Sequence, residues 1–436
     1  MKRTRRGKRT SRGESGQILV IAALLALGLI GMVGLVIDGG YLASQRRQGQ
    51  NAADAAALAA ARALFEERSV SVAQTIGREY AEANGFDTLD GNIVDVNIPP
   101  QSGNHIGDGD YVEVIVRRNA ATFFIHALIP GDLGVEARGV AGISPFPEDY
   151  AIVALNSTSC RSFDQSGTAS LTVTGGGIMV NSSCANNAMN KSGSGSLTVD
   201  GRIDVHGGYT DNGSGIVTPD PDEDVAWTVD DPLAGLPVPA LGAPAPGSPG
   251  TAASPSTWKF TGPGTYNLQP GTYYGGLDIN CSGCAITLAP GVYIMAGGGF
   301  SKQSNPTITG TDVMIYLTDC NGPADTTSCS GDGRAAPLLL TGGGTFALDP
   351  MDSGVYQGVT FWQDKLITAD VSISGDNASV QGIFYAPGAR IDMGGGTDLG
   401  VVQIVADKVN FSGNTAIDLE YGGFRQFEKP DVVLVE

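Results

Sequence analysis

Six cysteines are the residues whose spacing points most directly to chemistry, and all lie in the region 149–436: Cys160, Cys184, Cys281, Cys284, Cys320 and Cys329. An even number of cysteines outside the cytoplasm favours disulfides. The simplest pairing joins 160 to 184, 281 to 284 and 320 to 329, each closing a short loop. The Cys281-Ser-Gly-Cys284 spacing also fits a redox site or half of a zinc site, although no second ligand pair of similar spacing is present. We predict structural disulfides.

Two acidic motifs could hold a cation. Asp108-Gly-Asp110 could bind calcium, but it lacks further ligands at regular spacing and is typical of a Gly-rich turn. Asp370-Val-Ser372-Ile-Ser374 has the form of a von Willebrand A metal site, yet it lies in an alternating strand pattern instead of following an apolar strand. We therefore predict no cofactor and no metal, with calcium as the open alternative.

Catalytic patterns are missing from the sequence. It has no Ser-His-Asp order, HExxH, GxSxG or P-loop pattern, and the region 149–436 holds one histidine, His206. We predict that the protein is not an enzyme. The alternative is a carbohydrate-binding or carbohydrate-active β-helix protein, which would require two carboxylates in one groove beside exposed aromatic side chains, from Trp258, Trp362 or Tyr274.

The elements that position these residues begin with a membrane segment. Residues 18–37 are twenty uncharged, apolar residues, a length that matches the ~30 Å hydrocarbon core of a bilayer. Seven Lys and Arg residues precede them, against Arg46 and Arg47 after them, so the positive-inside rule places the N-terminus in the cytoplasm. We predict a basic cytoplasmic tail (1–16), a single transmembrane helix (17–37) in a bacterial inner membrane, and a periplasmic or extracellular body.

An Ala-rich stretch, residues 41–63, follows the membrane segment and has the strongest helix propensity of the chain. We expect it to continue the helix as a stalk. Small side chains let helices approach closely, so Ala22 and Ala26 are candidates for docking another helix within the membrane. Asp54 is either a solvated charge or a further contact for a partner helix.

The N-terminal motifs occur in a specific order: Glu14-Ser-Gly-Gln17, the apolar run, Asp38-Gly-Gly-Tyr41, and the Ala-rich signature at 51–61. Residues 11–64 in this order resemble the N-terminal segment of the TadE/TadG-like proteins of the tight-adherence (Flp) pilus system, and the resemblance continues more loosely to about residue 144. It implies a role in pilus assembly, with other pilus-assembly or pseudopilin-like membrane proteins as partners.

Processing of the N-terminus is the point at which the sequence departs from pseudopilins. A processed pseudopilin carries Glu five residues beyond the Gly at its cleavage point, whereas Ile21 stands at that distance from Gly16. The departure favours a retained anchor and the TadG-like side of the family.

Residues 38–148 are predicted to form the helical stalk and a small α+β unit. Apolar spacing predicts a helix at 70–83, closed by Asn84-Gly85. Alternating patterns predict strands, and a short helical piece lies between two of them. These elements are expected at 93–98, 111–117, 122–128 (helical) and 135–143.

The region 149–436 is rich in glycine and in short β-prone segments. The turn Pro270-Gly-Thr-Tyr273 returns 20 residues later as Pro290-Gly-Val-Tyr293, a period that suits the rungs of a β-solenoid. A β-sandwich or jelly roll is the alternative. A Pro-rich linker, residues 219–255, interrupts the pattern and is predicted to be exposed and extended. The fold class is therefore mainly β, after an N-terminal transmembrane helix and stalk.

The formal net charge of −19 includes the basic tail, so the body is more acidic still. Such a body should repel nucleic acid, which we exclude as a partner. The sequence thus predicts a non-catalytic, membrane-anchored component of pilus assembly or surface adhesion, with surface polysaccharide as a further candidate partner.

Overall fold

The computed structural model describes residues 15–66, 68–127, 133–321, 331–375, 378–394, 400–414 and 416–436. Nearly all of the basic tail, Leu128 of the short helical piece and the disulfide candidate Cys329 lie outside the described residues. The chain divides into two compact units. Unit 1 comprises the residues up to Pro145 together with Pro430–Glu436, and unit 2 comprises Phe146–Lys429.

The helices belong to unit 1. Helix α1 spans Ser15–Phe65, so the apolar run and the Ala-rich stretch form one continuous helix. Helix α2 spans Val70–Ala83, the residues predicted, and is capped by Asn84. Gly85 follows with φ of 91°, a conformation that costs glycine little. Short 3₁₀ helices occupy Thr88–Asp90 and Ile125–Ala127.

The remaining regular structure is β, which confirms the predicted mainly β class. The first strands are β1 (Ile93–Asn97), β2 (Tyr111–Ala120) and β3 (Leu133–Glu148). The next are β4 (Tyr150–Ala154), β5 (Phe163–Gln165), β6 (Leu171–Thr174), β7 (Gly177–Val180), β8 (Met189–Lys191), β9 (Leu197–Val199), β10 (Ile203–Val205), β11 (Tyr209–Asp211), β12 (Val217–Thr218), β13 (Trp258–Phe260), β14 (Gly264–Leu268), β15 (Gly271–Tyr274), β16 (Leu277–Asn280) and β17 (Cys284–Leu288). The last are β18 (Gly291–Ala296), β19 (Phe300–Gln303), β20 (Thr307–Gly310), β21 (Val313–Thr318), β22 (Leu338–Leu340), β23 (Phe346–Leu348), β24 (Val359–Gln363), β25 (Val371–Ile373), β26 (Ala378–Val380), β27 (Gly382–Gly394), β28 (Val402–Ser412), β29 (Ile417–Glu420) and β30 (Phe427–Leu434).

The sheet of unit 1 has the order β1-β2-β3-β30, with β2 antiparallel to both β1 and β3. Because side chains alternate along a strand, Val112, Val114 and Val116 of β2 share one face, and this face is buried against α1. The facing side of α1 consists of buried alanines: Ala52, Ala53, Ala56, Ala57, Ala60 and Ala61.

Helix α2 also packs closely on α1. A Cβ added at Gly77 of α2 would lie 3.2 Å from the Cβ of Ala60. The small side chains of the Ala-rich stretch therefore accommodate the chain's own sheet and second helix. The stretch continues the helix as expected, but its covered face is not open to a helix of another protein.

The strands of unit 2 are paired in parallel. One ladder, ladder A, follows the order β10-β7-β4-β28-β27-β24-β21-β18-β15. A second ladder, ladder B, runs β13-β16-β19-β22-β25-β27-β28-β5-β8-β11. The remaining strands form two shorter parallel sheets, β14-β17-β20-β23-β26 and β12-β9-β6-β29.

Parallel register brings like residues together in the core of unit 2. Ile286 lies opposite Ile308, and Leu171 opposite Leu197. All four are almost completely buried. Burial of such a side chain contributes about 1.5–3 kcal/mol each, so the stacked apolar positions are the main source of stability.

Residues 219–255, which we call the strap, connect β12 to β13. In the strap, Asp222 forms a parallel bridge with Asp204 of β10, and Pro244 forms one with Thr272 of β15. These two strands are the first and last of ladder A, separated by eight strand spacings of ~4.8 Å, or roughly 38 Å. The strap therefore runs the length of that ladder.

The prediction of an exposed linker at 219–255 was wrong for part of this segment. Val229 and Leu233 of the strap are buried, and so are Trp227 and Ala245. Apolar residues placed between the prolines and acidic residues anchor the strap along the ladder, although the prolines still keep it extended.

Candidate functional site

The apolar run of α1 presents exposed apolar side chains along most of its length. Leu19, Leu29 and Val36 are 72%, 61% and 74% exposed, and the docking candidates Ala22 and Ala26 are exposed as well. Among the described residues, α1 is the one helix long and apolar enough to cross a membrane. The predicted N-terminal apolar helix is thus present, with both docking candidates on its free surface.

A buried carboxylate follows the apolar run directly. Asp38 is completely buried, and its Oδ1 accepts a hydrogen bond from Phe123 N at 2.9 Å. Its Oδ2 accepts from Phe124 N at 2.7 Å and from Ile125 N at 2.6 Å. These amides precede or begin the 3₁₀ helix Ile125–Ala127, whose first N–H groups have no partner within the helix. Asp38 therefore holds this loop on α1.

Aromatic side chains of the same loop pack on α1. A Cβ added at Gly34 would lie 2.6 Å from Cδ1 of Phe124, so only glycine leaves room for this ring. The ring of Phe123 lies 6.1 Å from that of Tyr41 in an edge arrangement. Sequence reasoning missed this site, because Asp38 and its donors are far apart in the chain. The signals available were an acidic residue placed directly after an apolar helix and the adjacent phenylalanines.

Asp54, the third docking candidate, is engaged within unit 1. Its Oδ1 accepts a hydrogen bond from Gln50 Nε2 at 2.7 Å, and the same nitrogen donates to the carbonyl oxygen of Arg138 at 2.8 Å. A Cβ added at Gly139 would lie 2.7 Å from Asp54 Oδ1. Asp54 thus packs against β3 of its own chain.

A charged network lies on the sheet of unit 1 around Glu113, whose side chain is fully buried. Its carboxylate accepts hydrogen bonds from Arg138 Nε at 2.7 Å, from Asn97 Nδ2 at 2.8 Å and from the hydroxyl of Ser102. Burial acts to raise the pKa of Glu113, but these donors and the amide of Gln101 outweigh it and lower the pKa to about 2. The network stabilises the sheet.

The cysteines form disulfides, in agreement with the sequence prediction. Cys160 is bonded to Cys184 and Cys281 to Cys284. Cys320 is also disulfide-bonded, and its predicted partner Cys329 lies outside the described residues. The Cys160–Cys184 bond links the loop after β4 to the loop after β7, two strands that are paired in ladder A.

The acidic motifs take part in local structure. Asp108 Oδ1 accepts a hydrogen bond from Asp110 N at 3.1 Å, which is a turn contact. Asp370 forms an ion pair of 2.8 Å with Arg390 at the edge of β25. Within the described ranges, no three His, Cys, Asp or Glu side chains gather in an arrangement that could hold a metal ion.

A pocket of about 170 Å³ lies between the strap and ladder A. Its lining includes Asp231 and Asp364, together with the rings of Trp362 and Tyr385. Tyr385 OH donates to Asp231 Oδ2 at 2.5 Å, and Tyr316 OH donates to Asp364 Oδ2 at 2.6 Å. Burial raises the pKa of Tyr385 well above its usual range, and the Asp231 carboxylate acts in the same direction.

This pocket meets part of the requirement for a carbohydrate site. Two carboxylates line one cavity beside an aromatic ring, but Trp362 is 5% exposed and both carboxylates already accept tyrosine hydroxyls. Of the other aromatic candidates, Tyr274 is buried and Trp258 is half-buried. His206, the histidine of this unit, contacts the carbonyl oxygen of Val225 in the strap through Nδ1.

Comparisons with known proteins locate one family match. No curated protein matches the chain. Among solved structures, the crystal structure of the competence-associated pilin ComZ from Thermus thermophilus aligns with 76% of this chain and 82% of its own, at 11% identity and a TM-score of 0.28, values too low to support an argument. The family model Tad, described as "Putative Flp pilus-assembly TadE/G-like", matches residues 16–63. Over residues 16–63, therefore, the chain is similar to the TadE/G-like family, as its N-terminal motifs predict.

Proposed function

We propose that this protein is a non-catalytic, membrane-anchored component of a Tad/Flp-type pilus assembly or surface adhesion system, of the TadG-like kind. The observation that carries the proposal is the exposed apolar run at 18–37, which lies inside the residues that match the TadE/G-like family. A surface of this size is unstable in water and needs lipid or other helices to cover it.

The basic tail and the positive-inside rule support a single-pass arrangement in a bacterial inner membrane, with a cytoplasmic N-terminus and a periplasmic or extracellular body. Ala22 and Ala26 lie one helical turn apart and are both exposed, so they offer one face for a helix of another pilus-assembly or pseudopilin-like protein. Because the Ala-rich stretch is covered by other elements of unit 1, we assign the docking of a partner helix to the membrane segment.

We infer that unit 2 is a β-solenoid. Support comes from ladders A and B, which run side by side and share β27 and β28, and from parallel pairing, which differs from the antiparallel sheets of a sandwich. Such a body would present a stiff, acidic surface beyond the membrane.

The experiment is co-purification from detergent-solubilised membranes. One variant replaces residues 18–33 by leucines, which keeps the apolar length and leaves Gly34 and Asp38 in place, but removes Ala22 and Ala26. Pilus-assembly proteins are expected to purify with the natural chain and to be lost from this variant, while both remain in the membrane fraction. A Gly31→Leu variant, on the opposite face of the helix from Ala22 and Ala26 and with nothing within 4 Å of an added Cβ, is the matched control and should keep its partners. Equal recovery of partners from all three chains would contradict docking through the helix.

The pocket at the strap favours a second candidate, binding of a surface carbohydrate. At about 170 Å³ it falls below the roughly 300 Å³ at which ligand pockets usually begin, so it would take one sugar ring at most. Glycan-array binding by the detergent-solubilised chain tests this. Asp231→Asn should abolish binding, and Asp352→Asn, at an exposed position outside the pocket, should not. The absence of array binding by the natural chain would remove this candidate.

A further inference from the structure

The loop Thr122–Ala127 has an unusual position for a loop rich in apolar residues. It is attached to α1 by three hydrogen bonds from consecutive amides, at Phe123, Phe124 and Ile125, to one carboxylate, Asp38. Hydrogen bonds to a charged acceptor are among the stronger ones in proteins. The loop is therefore fixed on the helix at a defined height.

The position of the loop along α1 coincides with the end of the apolar run. Phe124 packs at Gly34, three residues before the run ends at Ile37, which is ~4.5 Å along the helix axis at 1.5 Å per residue. Phe123 packs near Tyr41, about one turn beyond the end of the run. The loop thus spans the level at which the hydrocarbon core would meet the head groups.

The apolar side chains of this loop are exposed, although in water such side chains are more stable when buried. Phe123 is 68% exposed and Phe124 is 41% exposed, and Ile30 and Ile37, which lie about one turn from Gly34 on the same face of α1, are 58% and 47% exposed. Together they form one apolar surface that is continuous with the membrane segment. Among the described residues at this level, Asp38 is the one carboxylate; it is buried and its oxygens accept hydrogen bonds, so it does not oppose contact with lipid.

We propose that the Phe123–Phe124 loop is a second membrane contact, which inserts into the lipid interface beside α1. The inference rests on the proposed membrane anchoring and adds a site to it. Aromatic side chains are favoured at the interface, where Tyr41 would join the two phenylalanines. With one membrane contact from α1 and a second from the loop beside it, both the depth of the anchor in the bilayer and its rotation about the helix axis are fixed.

The test is the lipid exposure of single labelled positions in the full chain, reconstituted alone in phospholipid vesicles. Since the described cysteines are all in disulfides, one added cysteine can carry an environment-sensitive fluorophore. The test variant is Phe123→Cys. Leu89→Cys is the matched control, because Leu89 is 91% exposed and lies in the same unit on another 3₁₀ helix. Leu29→Cys, in the apolar run, reports the anchor itself.

The fluorophore at 123 is expected to shift to shorter wavelength and to lose intensity with lipids that carry a quencher near the head group. The one at 89 should show neither effect, and the one at 29 should respond to a quencher deep in the acyl chains. Quenching at 29 but not at 123 overturns this inference and leaves the anchor intact. Absence of quenching at 29 overturns the proposed anchoring. A shift at 123 without lipid quenching would indicate contact with a second protein chain and would also overturn the inference.

Discussion

The side-chain amide of Asn181 forms two hydrogen bonds with the main chain of Val229. Nδ2 donates to the carbonyl oxygen of Val229 at 2.7 Å, and Oδ1 accepts from its N–H at 3.0 Å. Asn181 directly follows β7, and Val229 lies in the strap. Because both residues are buried, the pair fastens the strap to ladder A near the end at which the strap begins.

We therefore predict that Asn181→Ala loosens the strap. The variant leaves a buried N–H and C=O of Val229 without partners, at a cost of about 1–3 kcal/mol each. Limited proteolysis should cut within residues 219–255 faster than in the natural chain. Asn212→Ala, at an exposed position in the same unit, should leave the cleavage rate unchanged. Equal rates for all three chains would show that the pair does not hold the strap.

The strap also shows what the sequence can and cannot reveal. Short periodic segments predict parallel pairing, because each strand and its turn repeat locally. The order of the ladders depends on β28, near the end of the chain, pairing with β4, about 250 residues earlier. No local pattern encodes this pairing, so the need for a connection along the whole ladder could not be predicted.

Unit 1 shows the same difference between local patterns, which the sequence reveals, and contacts between distant residues, which it does not. The bounds of α2 follow from apolar spacing and from Asn84-Gly85, which are local signals, and these were predicted correctly. The role of Asp38 depends on amides 85 to 87 residues away and was not predicted. Likewise, the Ala-rich stretch was correctly predicted to be helical, whereas the sheet that covers it could not be inferred from helix propensity.

The Cys160–Cys184 disulfide should stabilise unit 2 more than the Cys281–Cys284 disulfide. The bonds join residues 24 and 3 positions apart, and the chain-entropy relation gives about 3.5 and about 2 kcal/mol respectively. Urea unfolding of Cys160→Ser/Cys184→Ser and of Cys281→Ser/Cys284→Ser, followed by tryptophan fluorescence, measures the difference. The tryptophans at 227, 258 and 362 all lie in unit 2. A larger loss for the second double variant would refute this order.

Glu113 should make the stability of unit 1 depend on pH in acid. Its pKa in the folded chain is about 2, below the ordinary value of 4.5. A carboxyl group with a lowered pKa binds fewer protons when folded, so its contribution is complete above pH 4.5 and is lost as the pH falls through 2. Glu113→Gln should cost about 2 kcal/mol at neutral pH and remove most of this dependence.

The measurement is urea unfolding followed by the reactivity of a cysteine placed at the buried Val114, with a disulfide reagent that remains active in acid. Glu136→Gln, which alters an exposed ion pair with Arg117, is the control and should change stability by less than about 1 kcal/mol. A Glu113→Gln variant that keeps the natural acid dependence would contradict this assignment.

Substitutions at two glycines of β3 test how the Ala-rich part of α1 packs on the sheet. A Cβ at Gly139 would lie 2.7 Å from Asp54 Oδ1 and 2.8 Å from the carbonyl carbon of Ala53, whereas a Cβ at Gly134 would meet nothing within 4 Å. Gly139→Ala must therefore push α1 away from the strand, at a cost of about 1–3 kcal/mol. Gly134→Ala should be neutral or slightly stabilising, because alanine loses less backbone freedom on folding. The same Val114 cysteine assay compares the two variants. Equal stabilities would mean that α1 does not lie against β3 at Asp54. Asp54 would then again be a candidate contact for a helix of another protein.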